Sequence, residues 1–319
     1  MRHADLVFSA ITSARAARCK IAASWTRSHN RHGLDPTHRA APKVLSDAEL
    51  NARCDEAGRM LSITSAKLDQ LFGLVGASGC TVVLTDDRGV ILDHRISDGD
   101  QHDFERAGII RGADWSEEAE GTNGIGTCLV EGRSVIIHRG EHFLSKNVSL
   151  SCIDSPIYGA NGELIGALDV SSARADQTGA NNTLIAAMVA QTAKQIEADN
   201  FKAAFSDARI IFAEDQDADR NALIAVNCDD VIVGATRAAR QIYGWGAKGV
   251  LEPVAATDLF GRESRRGFER GEKAAVMRAL TRSGGNVSAA AKDLGVGRAT
   301  LYRRMKRLGL SHRAELSRG

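Results

Sequence analysis

Aromatic residues are scarce and long apolar runs are missing from this 319-residue chain, in which aromatic side chains make up 5% and charged side chains 25%. A helix that crosses a bilayer needs about 20 consecutive, mostly apolar residues, and the sequence contains no such run. The N-terminal segment MRHADLVFSAITSARAARCK carries charges where a secretory signal needs an uninterrupted apolar core. The sequence therefore predicts a cytoplasmic protein with no membrane partner.

Cysteine pairs and phosphate-binding motifs are also missing. The six cysteines are scattered without a CxxC pair, so neither a zinc site nor a disulfide framework is predicted. No GxxxxGKS or GxxxxGKT sequence occurs, which excludes the usual phosphate-binding loop of ATP-hydrolysing domains. These absences predict no metal site and no hydrolysis of ATP.

Charge is distributed unevenly along the chain. The whole sequence has a formal net charge of +1, but residues 262–319 contain 15 Lys and Arg against 5 Asp and Glu, a net +10. The remaining 26 basic and 35 acidic residues leave residues 1–261 with a net −9. A basic segment attracts phosphates, and an acidic body resists nonspecific adhesion to nucleic acid. The pattern predicts nucleic-acid binding by the C-terminal segment.

The segment GGNVSAAAKDLGVGRATLYRRMKRLGL, residues 284–310, has the pattern of two short helices joined by a tight turn. The alanines at 289–291 keep the first helix slim, and Gly295 can adopt the left-handed conformation that ends a helix. Apolar residues then recur at helical spacing, at Leu301, Met305 and Leu308. A basic run alone is most simply a solvated helix face. Combined with the alanines, the glycine turn and the apolar stripe, it predicts an all-α helix-turn-helix that enters the major groove.

This segment resembles the Fis-type helix-turn-helix that ends many bacterial transcription activators. The likeness includes a preceding helix from Glu272 to Ser283, and it departs at Gly297, where the family usually has Ser or Asn. Double-stranded operator DNA is the partner that the resemblance implies. The start of the second helix is predicted to read bases through Arg298, Thr300 and Arg303. The predicted contacts with phosphates or flanking DNA are Tyr302, Arg304, Lys306 and Arg307.

Residues 45–200 alternate helix and strand patterns. Apolar residues recur at helical spacing across 60–75, and CTVVLTDDRGVILDHR reads as two strands separated by a turn at 86–89. SPIYGANGELIGALDVSS is a second hairpin with residues 161–162 in its turn, and a helix begins at Asn181. Helix, sheet and helix in one block predict an α+β domain.

Between these hairpins lies WSEEAEGTNGIGTCLVEGRSVIIHRGEHF, residues 115–143. Its glycines follow neither the dinucleotide nor the phosphate-loop pattern, and alone they predict only a tight turn. The stretch resembles the GAF domain of the acetoin-catabolism regulator family in WSE, GTNGIGT, EHF and the later GALDVSS. SARAARCKIAASWTRSHNRHGLDP resembles the N-terminal element of the same family. The resemblance covers most of residues 10–200 and implies a module that senses an unidentified small-molecule effector. It therefore implies effector binding rather than enzymatic activity, with no catalytic residues and no cofactor.

Four residues of this stretch are the predicted effector contacts. Rare aromatics suit the walls of an apolar pocket, and one of the two is expected in the core. Neutral polar side chains bind a hydroxyl or carbonyl without the desolvation cost of a charge. The predicted set is Trp115, Asn123, His142 and Phe143.

Two other readings of the same stretch involve metal or thiol chemistry. His138 and His142 are more simply structural histidines than metal ligands, because an arginine and a glycine lie between them after a strand-like run. Cys128 and Cys152 leave open a redox pair or a catalytic thiol, although no flanking motif supports either.

Residues 222–245, ALIAVNCDDVIVGATRAARQIYGW, read as strand, turn, strand and amphipathic helix. They resemble the start of a PAS-like α/β unit but are too short for a complete domain. In the resembled regulators an ATPase domain that acts on sigma-N polymerase commonly follows, whereas here GRESRRGFERGEKAAV leads directly into the DNA-binding helices, and no GAFTGA sequence occurs. Four segments are predicted: an N-terminal helical element at 1–44, the GAF domain at 45–200, a linker helix with a partial PAS-like element at 201–261, and the helix-turn-helix at 262–319.

The predicted protein is a transcriptional regulator in which the GAF domain controls operator binding without ATP hydrolysis, acting on RNA polymerase or on a full-length paralogous activator. Two alternatives stay open: an architectural DNA-binding protein whose GAF domain only dimerises, and a GAF-type thiol enzyme tethered to DNA. A homodimer is predicted because one helix-turn-helix reads one half-site. The predicted seam is Ile185, Val189, Thr192 and Ile196, although the same seam suits a helix that covers its own sheet.

Overall fold

The computed structural model describes residues 2–13, 19–174, 179–213, 221–260 and 267–310. The chain divides into two compact units, one of residues 1–228 with 232–252, and the other of residues 229–231 with 253–319. Within the described residues, no helix combines the length and the apolar character needed to cross a membrane. The segment boundaries predicted at residues 44, 200 and 261 stay predictions.

In the described residues, four α-helices precede the first strand: α1 (His3–Ile11), α2 (Lys20–Asn30), α3 (Asp47–Glu56) and α4 (Gly58–Val75). Helix α3 begins with a capping box, in which Ser46 and Glu49 each accept a backbone hydrogen bond from the other residue. Helix α4 confirms the predicted helical spacing, because it buries one face along its length at Met60, Thr64, Leu68, Leu71 and Val75.

An antiparallel sheet of five strands forms the centre of the larger unit. Its strands are β1 (Cys80–Thr85), β2 (Ile91–Arg95), β3 (Val135–His138), β4 (Ser151–Tyr158) and β5 (Leu164–Ser172). They lie in the order β2-β1-β5-β4-β3. Both predicted hairpins are confirmed, since β1 pairs with β2 and β4 pairs with β5. In the second hairpin Asp154 lies opposite Asp169.

The two faces of this sheet are covered by different helices. On one face α4 and α8 (Gly179–Ala204) share a hydrophobic core with Val82, Leu84 and Val170. The other face carries Val83, Ile91 and Cys152. Side chains from α5 (Gln101–Ala107), from α7 (Gly124–Glu131) and from residues 109–115 pack against it, and α6 (Glu117–Glu120) contacts α7.

Helix α8 does not present the predicted dimer seam to a partner. Ile185, Val189 and Ile196 are 6%, 0% and 0% exposed and belong to the core beneath the sheet. Thr192 is partly buried beside them. Packing on a sheet of the same chain requires the same helical period as packing on a partner helix, so the sequence left both options open. The seam covers the chain's own sheet, and homodimerisation through another surface stays a prediction.

A smaller antiparallel sheet follows α8. It contains β6 (Arg209–Phe212), β7 (Leu223–Val226) and β8 (Val231–Ala235), followed by α9 (Arg237–Ile242). The predicted strand, turn, strand and helix are therefore present, whereas β6 was not predicted and the PAS-like assignment stays a prediction. Buried Arg240 donates to the carbonyls of Ala235, at 2.9 Å, and Gly246, at 3.1 Å. Arg240 thus fixes the loop that follows α9.

The C-terminal unit contains β9 (Val254–Ala255), α10 (Ala256–Phe260), α11 (Gly267–Arg282), α12 (Val287–Asp293) and α13 (Arg298–Arg307). The Asn286 carboxamide oxygen caps α12 by accepting from the backbone N–H groups of Ser288, at 3.0 Å, and Ala289, at 3.2 Å. Gly295 has a φ of 63° in the turn between α12 and α13, as the sequence predicts. The three helices α11 to α13 enclose a small hydrophobic core.

Candidate functional site

Helix α13 has one buried face and several exposed cationic side chains. Leu301 is 0% exposed and Met305 is 4% exposed, and both pack against α11 and α12. Leu308 is partly buried beside them. The N-cap residue of the helix is Gly297, which forms no side-chain cap. The apolar stripe therefore fixes which side of α13 faces solvent.

All seven predicted DNA contacts lie on this helix. Arg298, Tyr302, Arg303, Lys306 and Arg307 are exposed, and the Arg298 guanidinium lies 5.7 Å from the centre of the Tyr302 ring. Thr300 and Arg304 are partly buried. A cationic helix face of this kind suits the major groove, where guanidinium groups bind guanine edges or phosphates. The individual contacts with DNA stay predictions.

The glycine-rich segment GTNGIGT starts α7 on the second face of the sheet. Asn123 is its N-cap: its carboxamide oxygen accepts from Gly126 N–H at 2.9 Å, and its amide group donates to the Gly121 carbonyl at 2.8 Å. Both ends of this side chain therefore have partners within the chain. The Asn123 side chain sets where α7 begins.

The glycines of this segment permit close packing as well as a turn. A Cβ atom at Gly124 would lie 2.0 Å from Asp154 Oδ2, and one at Gly126 would lie 2.3 Å from Glu117 N. Gly121 has a φ of 64°, and a Cβ atom there would lie 2.7 Å from the Phe143 ring. Glycine is thus required at three positions because backbone, ring and carboxylate approach the chain directly.

Both predicted aromatic effector contacts occupy hydrophobic cores. Trp115 is 2% exposed, and its indole N–H donates to the Gly108 carbonyl at 2.9 Å. Phe143 is fully buried against Val7 and Leu144. The structure does not bring Trp115 and Phe143 into one cluster. Their contact with an effector, like that of Asn123 and His142, stays a prediction.

His142 and Cys152 form a buried neutral pair. Nδ1 of His142 lies 2.9 Å from the Arg139 carbonyl, so it carries the proton and donates. Nε2 of His142 lies 3.3 Å from Cys152 Sγ and accepts from the thiol. Burial lowers the pKa of His142 to about 4 and raises the pKa of the Cys152 thiol well above its usual value. Since a reactive cysteine requires a thiolate, the protonated, buried Cys152 thiol is a poor nucleophile.

The other thiol is fully buried, whereas His138, one of the two candidate metal ligands, is partly buried. Cys128 is a free cysteine with no exposure, and burial raises the pKa of its thiol far above the ordinary value. His138 Nδ1 lies 2.7 Å from the Ser151 hydroxyl, at the end of β3. In the part of the chain that the structure describes, no three His, Cys, Asp or Glu side chains are arranged to hold a metal ion.

Two aspartates on the second face of the sheet were not among the predicted site residues. Asp154 and Asp169 are 0% and 1% exposed and lie opposite each other on neighbouring strands. Burial raises the pKa of both carboxyls, and the negative charge of Asp169 raises that of Asp154 further. Burial and the nearby Asp169 therefore favour the protonated form of Asp154, while Asp169 accepts from Ser171 Oγ at 2.8 Å. The sequence signal that could have identified them is an aspartate in the middle of each of the two mostly apolar strands β4 and β5.

The N-terminal element and the predicted sensor motif form one interface. Arg27 donates twice to Glu117, at 2.8 and 2.7 Å, and the Ser24 hydroxyl donates to the same carboxylate at 3.0 Å. The Trp25 indole N–H donates to the Glu141 carbonyl at 2.8 Å. The N-terminal element and the stretch of residues 115–143, whose sequences resemble one regulator family, therefore contact each other directly. Sequence patterns missed this contact because its partners lie 90 residues apart.

Comparison with known proteins identifies both regions. Residues 60–198 match the GAF domain, and residues 268–308 match the bacterial regulatory proteins of the Fis family. The predicted fold, an α+β GAF domain and an all-α C-terminal helix-turn-helix, is confirmed by these matches and by the helices and strands described above.

Several bacterial regulators are similar to this chain. The acetoin catabolism regulatory protein of Cupriavidus necator is 31% identical over 178 residues, which are 56% of this chain and 27% of that protein. The acetoin dehydrogenase operon transcriptional activator AcoR of Bacillus subtilis is 30% identical, over 48% of this chain and 25% of its own. The propane 2-monooxygenase operon transcriptional activator MimR of Mycolicibacterium smegmatis is also 30% identical, over 44% and 23%. The chain spans about a quarter of the length of these relatives.

One solved structure shares the fold. The structure described as the E. coli DhaR(N)-DhaL complex has a TM-score of 0.52 and 16% sequence identity, and the match covers 71% of this chain and 76% of that one. At this identity the likeness concerns the fold alone.

Proposed function

We propose that this chain, in which a GAF domain is joined to a helix-turn-helix of the Fis family, is a transcriptional regulator that binds operator DNA under the control of a small organic molecule. The observation that carries the proposal is the arrangement of α13, whose apolar stripe is buried while Arg298, Arg303 and Lys306 are exposed. Exposed cations on a helix of this width suit the major groove. The names of the relatives, which are regulators and activators, support the same function.

The GAF domain is the proposed sensor. Its relatives are named for operons of different chemistry, acetoin breakdown and propane oxidation. The effector is therefore proposed only as a small organic compound, because a few side chains decide which ligand a shared fold binds. The contacts proposed for it are Trp115, Asn123, His142 and Phe143. Coupling between sensor and operator requires different effector affinities in the two DNA-binding states, typically by about 1 to 3 kcal/mol.

The remaining features of the proposal concern partners and mechanism. We propose a cytoplasmic homodimer that acts without ATP hydrolysis, either on RNA polymerase or on a longer activator that binds the same DNA. The sequence contains no GxxxxGKS or GxxxxGKT loop to hold nucleotide phosphates. The enclosed thiols of Cys128 and Cys152 disfavour the thiol-enzyme alternative.

Selection of binding sites from a random DNA pool, followed by footprinting, tests the proposal. A regulator enriches one motif and protects it at nanomolar concentrations, and acetoin, 2,3-butanediol or propan-2-ol as probes change the protection. Binding that is strong but equal on all sequences, with bending of the DNA, would instead establish the architectural alternative. Absence of any DNA binding at 50 mM salt would refute the proposal as a whole.

A further inference from the structure

A single carboxylate links α11 to the end of α13. Glu272 lies near the beginning of α11, and its side chain is only 9% exposed. The guanidinium Nε of Arg304 lies 3.3 Å from Glu272 Oε1, and Nη2 of Arg307 donates to Glu272 Oε2. One partly enclosed acid therefore holds two of the arginines that were predicted to contact phosphates.

The five cations of α13 consequently fall into two groups. Arg304 and Arg307 are paired with Glu272. For Arg298, Arg303 and Lys306, no carboxylate lies within ion-pair distance among the residues that the structure describes. An arginine that is paired with a carboxylate must lose that pair before it neutralises a phosphate, whereas an unpaired cation releases counterions from DNA directly. The two groups therefore differ in what they contribute to DNA affinity.

We propose that Glu272 is a positioning residue for specificity: it withholds Arg304 and Arg307 from the DNA backbone, so that among the cations of α13 only Arg298, Arg303 and Lys306 contact DNA. The inference rests on the DNA-binding part of the proposed function. Phosphate contacts bind every sequence alike, while contacts with base edges discriminate. Holding two arginines on Glu272 lowers the affinity for nonspecific DNA and so raises the ratio of operator to random binding.

The salt dependence of binding to a random 30-base-pair duplex tests this directly, with the full chain and fluorescence anisotropy between 50 and 300 mM KCl. Each phosphate newly neutralised steepens the slope of log K against log salt by about 0.9. We expect Glu272→Gln to steepen the slope by about 1 to 2 and to lower the operator-to-random affinity ratio. A change confined to folding would not alter the number of ions released per binding event.

Asp293→Asn is the matched control. Asp293 is paired with Arg282 at 2.7 Å on an exposed surface of the same unit, and neither residue lies on α13. The variant changes the net charge by the same amount as Glu272→Gln. The proposal requires a clearly smaller change of slope for this control. An equal change in both variants would show that net charge alone is responsible.

If Glu272→Gln fails to fold, replacing both arginines in the wild-type protein still tests the proposal: Arg304→Gln with Arg307→Gln should leave the wild-type slope nearly unchanged. If Glu272→Gln folds, the same two replacements should cancel its increase in slope. A slope that falls by about 2 when these arginines are replaced in the wild-type protein would overturn the proposal, since they would then already contact phosphates. A folded Glu272→Gln protein with the wild-type slope would also overturn it. Failure of the wild-type protein to select any operator would contradict the proposed function, while the slopes on random DNA would still decide the role of Glu272.

Discussion

The GAF domain and helix α13 of the C-terminal unit differ in the burial and pairing of their charged side chains. In the GAF domain the Glu117 side chain is 1% exposed, and Arg27 bonds both of its oxygens. On α13, by contrast, Arg298 and Arg303 are exposed to solvent. A buried charge without a partner costs several kcal/mol, so it must be neutralised within the chain. An exposed cation costs little and stays available to phosphate. Buried, paired charge thus stabilises the GAF domain, whereas the exposed charge of α13 stays available to an anionic partner.

The largest expected effect comes from breaking the buried pair. Arg27→Met keeps most of the apolar stem but removes the guanidinium group from the Glu117 carboxylate, which keeps the hydrogen bond from the Ser24 hydroxyl. We expect the free energy of unfolding to fall by about 3 to 5 kcal/mol, because an uncompensated charge remains buried. Urea denaturation measures this loss.

An exposed ion pair provides the control for this variant. Arg106 lies 3.1 Å from Asp103, and their side chains are 73% and 57% exposed. Arg106→Met should cost less than about 0.5 kcal/mol. Similar losses for Arg27→Met and Arg106→Met would show that burial does not distinguish the two pairs, and the comparison between the two regions would lose its basis.

The next effect concerns the exposed charges. Arg298→Ala should cost about 1 to 3 kcal/mol in operator binding and relax the preference at one base position, because its side chain begins the helix on the solvent face. Arg307→Ala should have a smaller effect that is the same for all sequences, since Glu272 already neutralises this arginine. Operator titrations with each base changed in turn measure both. Equal, sequence-independent losses for the two variants would contradict the assignment.

The Asp154–Asp169 pair shares one feature with each region. Like Glu117 it is buried and, like Arg298 and Arg303 of α13, it has no ion-pair partner of opposite charge in the described part of the chain. Burial raises the pKa of Asp154, whereas in the unfolded chain an aspartate ionises near pH 3.9. The folded state therefore binds more protons than the unfolded state above about pH 4, and the pair lowers stability as pH rises.

Replacing Asp154 by asparagine tests this charge balance. Asp154→Asn keeps the size of the side chain but cannot ionise, so it removes the proton linkage. The variant should gain stability relative to the wild type as pH rises, by up to about 1.4 kcal/mol per pH unit. Urea denaturation at pH 5, 6 and 7 measures the difference. The pKa of His142 is lowered to about 4, so its titration raises stability as pH rises. This contribution is present in both proteins and therefore cancels in the comparison. A difference that is independent of pH would show that Asp154 is ionised in the folded state.

Local chemistry explains which parts of the molecule were predictable from the sequence. The hairpins were predictable because turn residues such as Asn161 and Gly162 lie beside alternating strands, and α13 was predictable because its stripe and its charges lie within ten residues. Strand β6 was missed because RIIF is short and carries no turn signal of its own.

Contacts between distant residues were not predictable in the same way. The pairing of Asp154 with Asp169 depends on strand register, and the Arg27–Glu117 bonds join segments that are far apart in sequence. The seam of α8 was ambiguous because Ile185, Val189 and Ile196 have the spacing required both by a partner helix and by the sheet that they cover. Periodicity identifies a buried face but does not say which surface buries it.

The smallest expected effect concerns the start of α13, which lacks the side-chain N-cap that α12 has. Gly297 has β-region dihedrals, φ −67° and ψ 146°, and forms no side-chain cap, whereas Asn286 caps α12. A Cβ atom at Gly297 would meet only Thr300 Oγ1, at an ordinary 3.7 Å. Gly297→Ser should therefore supply a hydroxyl acceptor for the first turn and raise stability by roughly 0.3 kcal/mol.

Gly295→Ser is the opposite control, because the φ of 63° at that residue disfavours any side chain and should cost roughly 1 kcal/mol. Thermal unfolding of both variants measures the two signs. A loss of stability in Gly297→Ser would mean that the uncapped start of α13 is held in a conformation that a serine cannot adopt.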